Sequence, residues 1–187
     1  MNRLLNVLFA LLAIGSLASC TAAMNPRDDP PTRTPTPAAT PSDGSPPPAS
    51  LEIDGVTQTA GVGTYCWSGQ TASGETVNAC ADMIGIPTDP DPLISSSPVT
   101  ARLSLPLAES PSQLSLSAFQ VSSAHELPDT ARGYRWWTYA EGFTSQLPLE
   151  TSQEINLELE PGLYVFYVFA VWEGKGDVSY GFLVEVK

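Results

Sequence analysis

Between positions 132 and 139 the chain gathers Arg132, Tyr134, Arg135, Trp136, Trp137 and Tyr139. Trp, Tyr and Arg are the residues that most often anchor a protein interface, because each combines a large apolar area with a polar or charged end. Aromatic faces of this kind also stack on sugar rings. If the run is a strand, neighbouring Trp136 and Trp137 point to opposite faces, so one enters a core and the other covers an edge or stands in solvent. The structural alternative places Arg135 along an aromatic surface and the second tryptophan beneath a loop. Protein binding is the first functional expectation for the cluster and glycan stacking the second.

A catalytic set is much harder to assemble. His125 is the only histidine, flanked by Ala124 and Glu126 in a polar stretch beside Pro128, and reads as an ordinary loop residue. No serine lies in a G-x-S-x-G elbow, and no H-E-x-x-H, phosphate-binding loop or dinucleotide fingerprint occurs. Asp82, Asp89 and Asp91 share one proline-rich segment, and calcium accepts oxygen ligands at irregular spacing. Without a calcium-loop pattern, Pro90 and Pro92 explain that segment as rigid surface. No metal and no cofactor is expected, and a hydrolase with an unrecognised site is the enzymatic alternative.

The elements that must position the cluster are strands. Residues 163–172 are ten consecutive apolar positions rich in aromatic and β-branched types, which crowd a helix but pack well on a pleated sheet. Both side-chain sets are apolar, so the strand is central and covered at least in part on both faces. Glu173-Gly174-Lys175-Gly176-Asp177 then makes a hairpin connection. Residues 178–186 return with Tyr180, Phe182, Val184 and Val186 inward and Ser179, Gly181, Leu183 and Glu185 on a wetter face. Further strands are expected at 51–56, 64–68, 99–105, 114–121, 134–139 and 155–159. Residues 84–98, broken by prolines, are expected as a wandering loop. The fold class is all-β, an antiparallel sandwich of about 7–8 strands.

The ends of the chain bear on its compartment. Arg3, an apolar run at 4–17 and the small residues before Cys20 have the layout of a secretory signal, about 14 residues where a membrane span needs roughly 20. Leu17-Ala18-Ser19-Cys20 resembles the bacterial lipobox, which implies cleavage before Cys20 and its lipidation. Several acyl chains would then tether the protein stably to the membrane. Residues 1–19 are the signal, 20–50 a proline-, threonine- and serine-rich flexible linker with no aromatic residue, and 51–187 the folded domain. With Cys20 lipidated, Cys66 and Cys80 remain as one pair in an exported protein, which invites a disulfide closing an irregular surface loop. A thiol redox site is the alternative, although no C-x-x-C is present. The net charge of -12 argues against nucleic acid and anionic lipid surfaces as ligands.

Ile155-x-Leu157-x-Leu159, Pro161-Gly162, Tyr164 and the apolar run up to Ala170 resemble the passage from strand E to strand F in immunoglobulin-like and fibronectin-like sandwiches. The resemblance implies that Tyr164 ties back to the turn before it. Cys66 and Cys80 are too close in sequence to be the inter-sheet pair of antibody domains. The chain also resembles bacterial lipoproteins whose C-terminal β-domain ends in a Tyr-x-Phe-x-Val strand, here Tyr180 to Val184, a likeness that carries no activity. The resulting expectation is an extracytoplasmic lipoprotein on the cell membrane or outer membrane. It would act without catalysis by binding an envelope or extracellular protein, with a glycan or small ligand as the alternative.

Overall fold

The computed structural model describes residues 44–71, 73–121, 126, 133–138 and 142–187, all within the unit Pro37–Lys187. The signal and lipobox residues, Cys20, His125, Arg132 and Tyr139 lie outside the described residues.

Two sheets enclose one principal core. The smaller has the order β11 (Ser152–Leu157), β7 (Val99–Ser104), β1 (Ser50–Ile53), β2 (Val56–Thr59), with every pairing antiparallel. The larger runs β10 (Gly142–Gln146), β8 (Gln113–Gln120), β12 (Gly162–Trp172), β13 (Gly176–Val186), β3 (Gly61–Gln70), β4 (Thr76–Ala81). A short strand β6 (Leu93–Ser95) pairs in parallel with the end of β13. Alternation drives the packing: Leu51, Ile53, Ala101, Leu103 and Ile155 from the smaller sheet meet Phe166, Val168, Tyr180, Phe182 and Val184 from the larger. The fold class expected from the sequence is therefore present, an all-β antiparallel sandwich. Neighbour order β1-β7-β11 and β8-β12-β13 follows the A-B-E and C-F-G strands of immunoglobulin-type sandwiches. The Tyr164 hydroxyl donates to the Glu160 carbonyl at 2.9 Å, the tie that the resemblance implied.

β12 is the central strand, paired with β8 along one edge and β13 along the other. Its turn into β13 contains Gly174 at φ 74°, a left-handed conformation that glycine adopts without a Cβ penalty.

Several expectations are corrected. Thirteen strands occur among the described residues, where about eight were expected, because five of them span only three or four residues and leave little periodicity to read. The proline-rich run at 84–98 holds two of these, β5 (Ile86–Thr88) and β6. Each has a single pairing partner, so Pro87 in β5 interrupts no continuous ladder. Cys66 and Cys80 do not staple an irregular loop. They face each other across the antiparallel pair β3 and β4, disulfide-bonded with Cα atoms 4.1 Å apart. The supposedly wet face of β13 is largely buried, with Ser179 3% and Leu183 0% exposed. What covers it is β5 and its partner β9 (Arg135–Trp137), a two-stranded layer on the outer side of the larger sheet.

Candidate functional site

That outer layer carries the aromatic cluster. Ile86 pairs with Trp137, Pro87 with Trp136 and Thr88 with Arg135. Ile86 and Trp137 close over Val165 of β12 and Leu183 of β13, forming a second apolar cluster edged by Phe119, Val121, Leu163 and Tyr167. The larger sheet can accept this layer because its surface is nearly bare there. A Cβ on Gly61 or Gly181 would overlap the Pro87 carbonyl, and one on Gly63 would stand 2.6 Å from the Ser179 hydroxyl and 3.4 Å from Pro87 Cδ. The Ser179 hydroxyl donates to the Thr64 carbonyl at 3.0 Å, so the polar residue on this buried face is satisfied.

Within the layer the residues divide by task. Trp137 is 1% exposed, and its indole N–H donates to Thr88 Oγ1 at 3.0 Å, a buried donor meeting a buried acceptor. Arg135 stacks its guanidinium 4.8 Å from the Trp137 ring centroid, close enough for a cation–π contact. The same guanidinium grips Glu126 with both ends, Nε to Oε1 at 3.0 Å and NH2 to Oε2 at 2.9 Å. That hydrogen bond holds the Glu126 carboxyl below its ordinary range and raises the arginine in return. Arg135 and Trp137 are thus committed to internal contacts. Trp136 is only half-buried, and its indole nitrogen is shut away with no hydrogen-bond partner among the described residues. Tyr134 is 39% exposed. One tryptophan enters a core and its neighbour does not, as their adjacency in a strand demands. Of the six cluster residues, the structure brings Tyr134, Arg135, Trp136 and Trp137 together on and beside β9.

Chemistry elsewhere is sparse. Asp89 Oδ1 accepts from the Asp91 backbone N–H at 2.9 Å and so shapes its own turn. Asp82 Oδ1 lies 3.5 Å from the Thr64 hydroxyl. Among the described residues no group of three or more His, Cys, Asp or Glu side chains is placed to share a metal ion, so the three aspartates are not gathered into a ligand set.

The sequence reading missed two features. Thr88, the acceptor for Trp137, gave no signal because it stood inside a segment read as loop. An open cleft at the turn between β12 and β13 also went unnoticed, since its lining comes from four distant stretches of chain. No family model, no curated protein and no solved structure matches this chain. Its class is therefore stated by architecture: a disulfide-bearing β-sandwich whose larger sheet wears an aromatic outer layer.

Proposed function

We propose that the chain is a lipid-anchored, extracytoplasmic bacterial module that binds a protein of the cell envelope or its surroundings without catalysing a reaction. The observation that carries this reading is the division within β9: Trp137 is fixed inward and Arg135 is held by Glu126 and the Trp137 ring, while Tyr134 and part of Trp136 are presented on a layer already anchored to the sheet. Aromatic groups held rigid before contact lose little entropy on binding, which is what an anchor residue needs. The lipobox-like Leu17-Ala18-Ser19-Cys20 supports the anchor, and the disulfide between Cys66 and Cys80 fits an oxidising compartment. A net charge of -12 favours a partner with a basic surface, which it would also steer toward the site.

In-cell crosslinking followed by mass spectrometry tests the reading, with Tyr134→Ala and Trp136→Ala compared against the parent chain. One stoichiometric protein partner, lost in the variants while their unfolding midpoints stay near the parent's, is the expected result. Normal partner retention in a folded double variant would make the cluster structural and overturn the assignment. Cys20→Ser should release the protein from the membrane fraction.

A further inference from the structure

At the end of the sandwich where β12 turns into β13, a cleft of about 630 Å³ opens between Cys66, Trp67, Ser68, Asn78, Cys80, Ser112 and the segment 171–176. It shares no residue with the aromatic layer, so it stands or falls separately from the binding role proposed above. Its base is apolar. Trp67 and Trp172 meet edge to face with centroids 5.7 Å apart, Val171 adds an aliphatic wall, and the disulfide lines one side. The Trp172 indole N–H is already satisfied by the Glu109 carbonyl at 3.0 Å, so that ring makes no polar demand on an occupant.

Lys175 gives the cleft its character. Its backbone is pinned at both ends, the N–H donating to the Trp172 carbonyl at 3.1 Å and the carbonyl accepting from the Ser68 N–H at 2.6 Å. The side chain is half-buried, and among the described residues its ammonium has neither an ion pair nor a hydrogen bond. Of the arginines in the strands, Arg135 is gripped by Glu126, and Arg102 lies in register between Glu52 and Glu154 without an ion pair among the described residues. Asn78 adds a second donor, because its Oδ1 accepts from the Ser68 hydroxyl and the amide N–H groups stay available. Glu173 on the rim repels negative charge, so it weakens one carboxylate beside Lys175 and disfavours a second.

We propose that this cleft binds an apolar group bearing a single carboxylate, with Lys175 as counter-ion and Asn78 as the neighbouring donor. The same chemistry is offered by a free amphiphilic acid and by the C-terminal residue of an apolar-ended peptide. Calorimetry on the full chain with N-acetyl-phenylalanine, its C-terminal amide, and a short peptide ending in phenylalanine tests the proposal. The indole N–H resonances of Trp67 and Trp172 report the location.

The acid should bind and shift both resonances, and the amide should bind roughly tenfold more weakly or worse, the scale of a charge-assisted hydrogen bond. Lys175→Met should reduce the acid to the amide's level without lowering the unfolding midpoint, while Glu173→Gln should tighten it. A peptide that matches the acid would identify a chain end as the natural occupant, and a peptide that fails where the acid succeeds would identify a small molecule. Equal binding of acid and amide, unchanged binding by the folded Lys175→Met chain, or no binding at several millimolar would each overturn the assignment.

Discussion

Thr88 and Trp137 illustrate how much a single buried pair decides. The indole N–H of Trp137 has one acceptor, the Thr88 hydroxyl, and both residues are closed to water. Thr88→Val keeps the shape and removes the acceptor, which should cost about 1–3 kcal/mol because a buried donor is left unpaired. A guanidinium unfolding curve measures it, and an unchanged midpoint would mean that water reaches the indole. The Glu126–Arg135 pair is a weaker contributor, since Glu126 is 48% exposed. Its carboxyl is held low, so whatever stability the pair adds is present above the ordinary carboxylate range and lost as pH falls through the folded value. The larger pH effect lies at the alkaline end. Burial pushes the Tyr180 phenol up, and its hydroxyl donates to the Pro47 carbonyl at 3.0 Å. A raised phenol contributes stability in full below the unfolded value of about 10, and that contribution is lost as pH rises through the folded one. The unfolding midpoint should therefore fall from about pH 10 upward, and Tyr180→Phe should flatten that limb while lowering the neutral-pH midpoint. A parent chain whose stability is level to pH 12 would contradict this account. At this scale the sequence was informative about types and not about partners. That Trp136 and Trp137 must diverge followed from adjacency, but which one was buried depended on where β5 lay.

Among the elements, β5 is held by what the larger sheet lacks. Gly61 and Gly181 leave a bare track on β3 and β13 that the Pro87 carbonyl fills, and a Cβ on Gly181 would also approach Ile86 Cγ2 to 2.6 Å. Gly181→Ala should push β5 off the sheet, disturb the Trp137 environment in near-ultraviolet circular dichroism and cost about 1–3 kcal/mol, the usual range for overpacking. An unchanged spectrum would show that the layer tolerates displacement. Those glycines also explain why the outer face of β13 was misread. Ser179, Gly181 and Glu185 look solvated by residue type, yet small residues are what let a second layer approach closely. The long strands β12 and β13 were legible from periodicity because packing on both faces demands apolar side chains throughout. The short strands β2, β5, β6 and β9 were not all legible, since three or four residues carry too few alternations and their pairing is decided by distant segments. The cysteine pair was correctly joined, but its setting was misjudged: glycine and serine near Cys66 and Cys80 mark one turn of a hairpin, not a loop throughout.

For the whole molecule, the point at which the packed domain begins is a physical question with a measurable answer. Composition alone placed that point at residue 51, because 20–50 is rich in proline and has no aromatic side chain. Packing reaches further back. Gly44, Pro46 and Ala49 are buried, Gly44 lies against Val77 and Ala79 of β4, and the Ala49 carbonyl accepts from the Ala60 N–H at 2.9 Å. Pro47 supplies the acceptor for Tyr180, one of the largest fully buried side chains in the core. Proline suits this stretch, since it needs carbonyl acceptors and a fixed extended path more than it needs N–H donors. A chain beginning at residue 44 should unfold with the midpoint of one that retains the whole preceding segment. A chain beginning at 51 strands the Tyr180 hydroxyl, removes Ser50 from β1 and uncovers Ala60, for an expected loss of about 2–5 kcal/mol. Denaturant titration of the two truncated chains separates the outcomes. Equal midpoints would mean that residues 44–50 merely lie along the surface; a lower midpoint for the shorter chain places the last of the proline-rich sequence inside the folding unit.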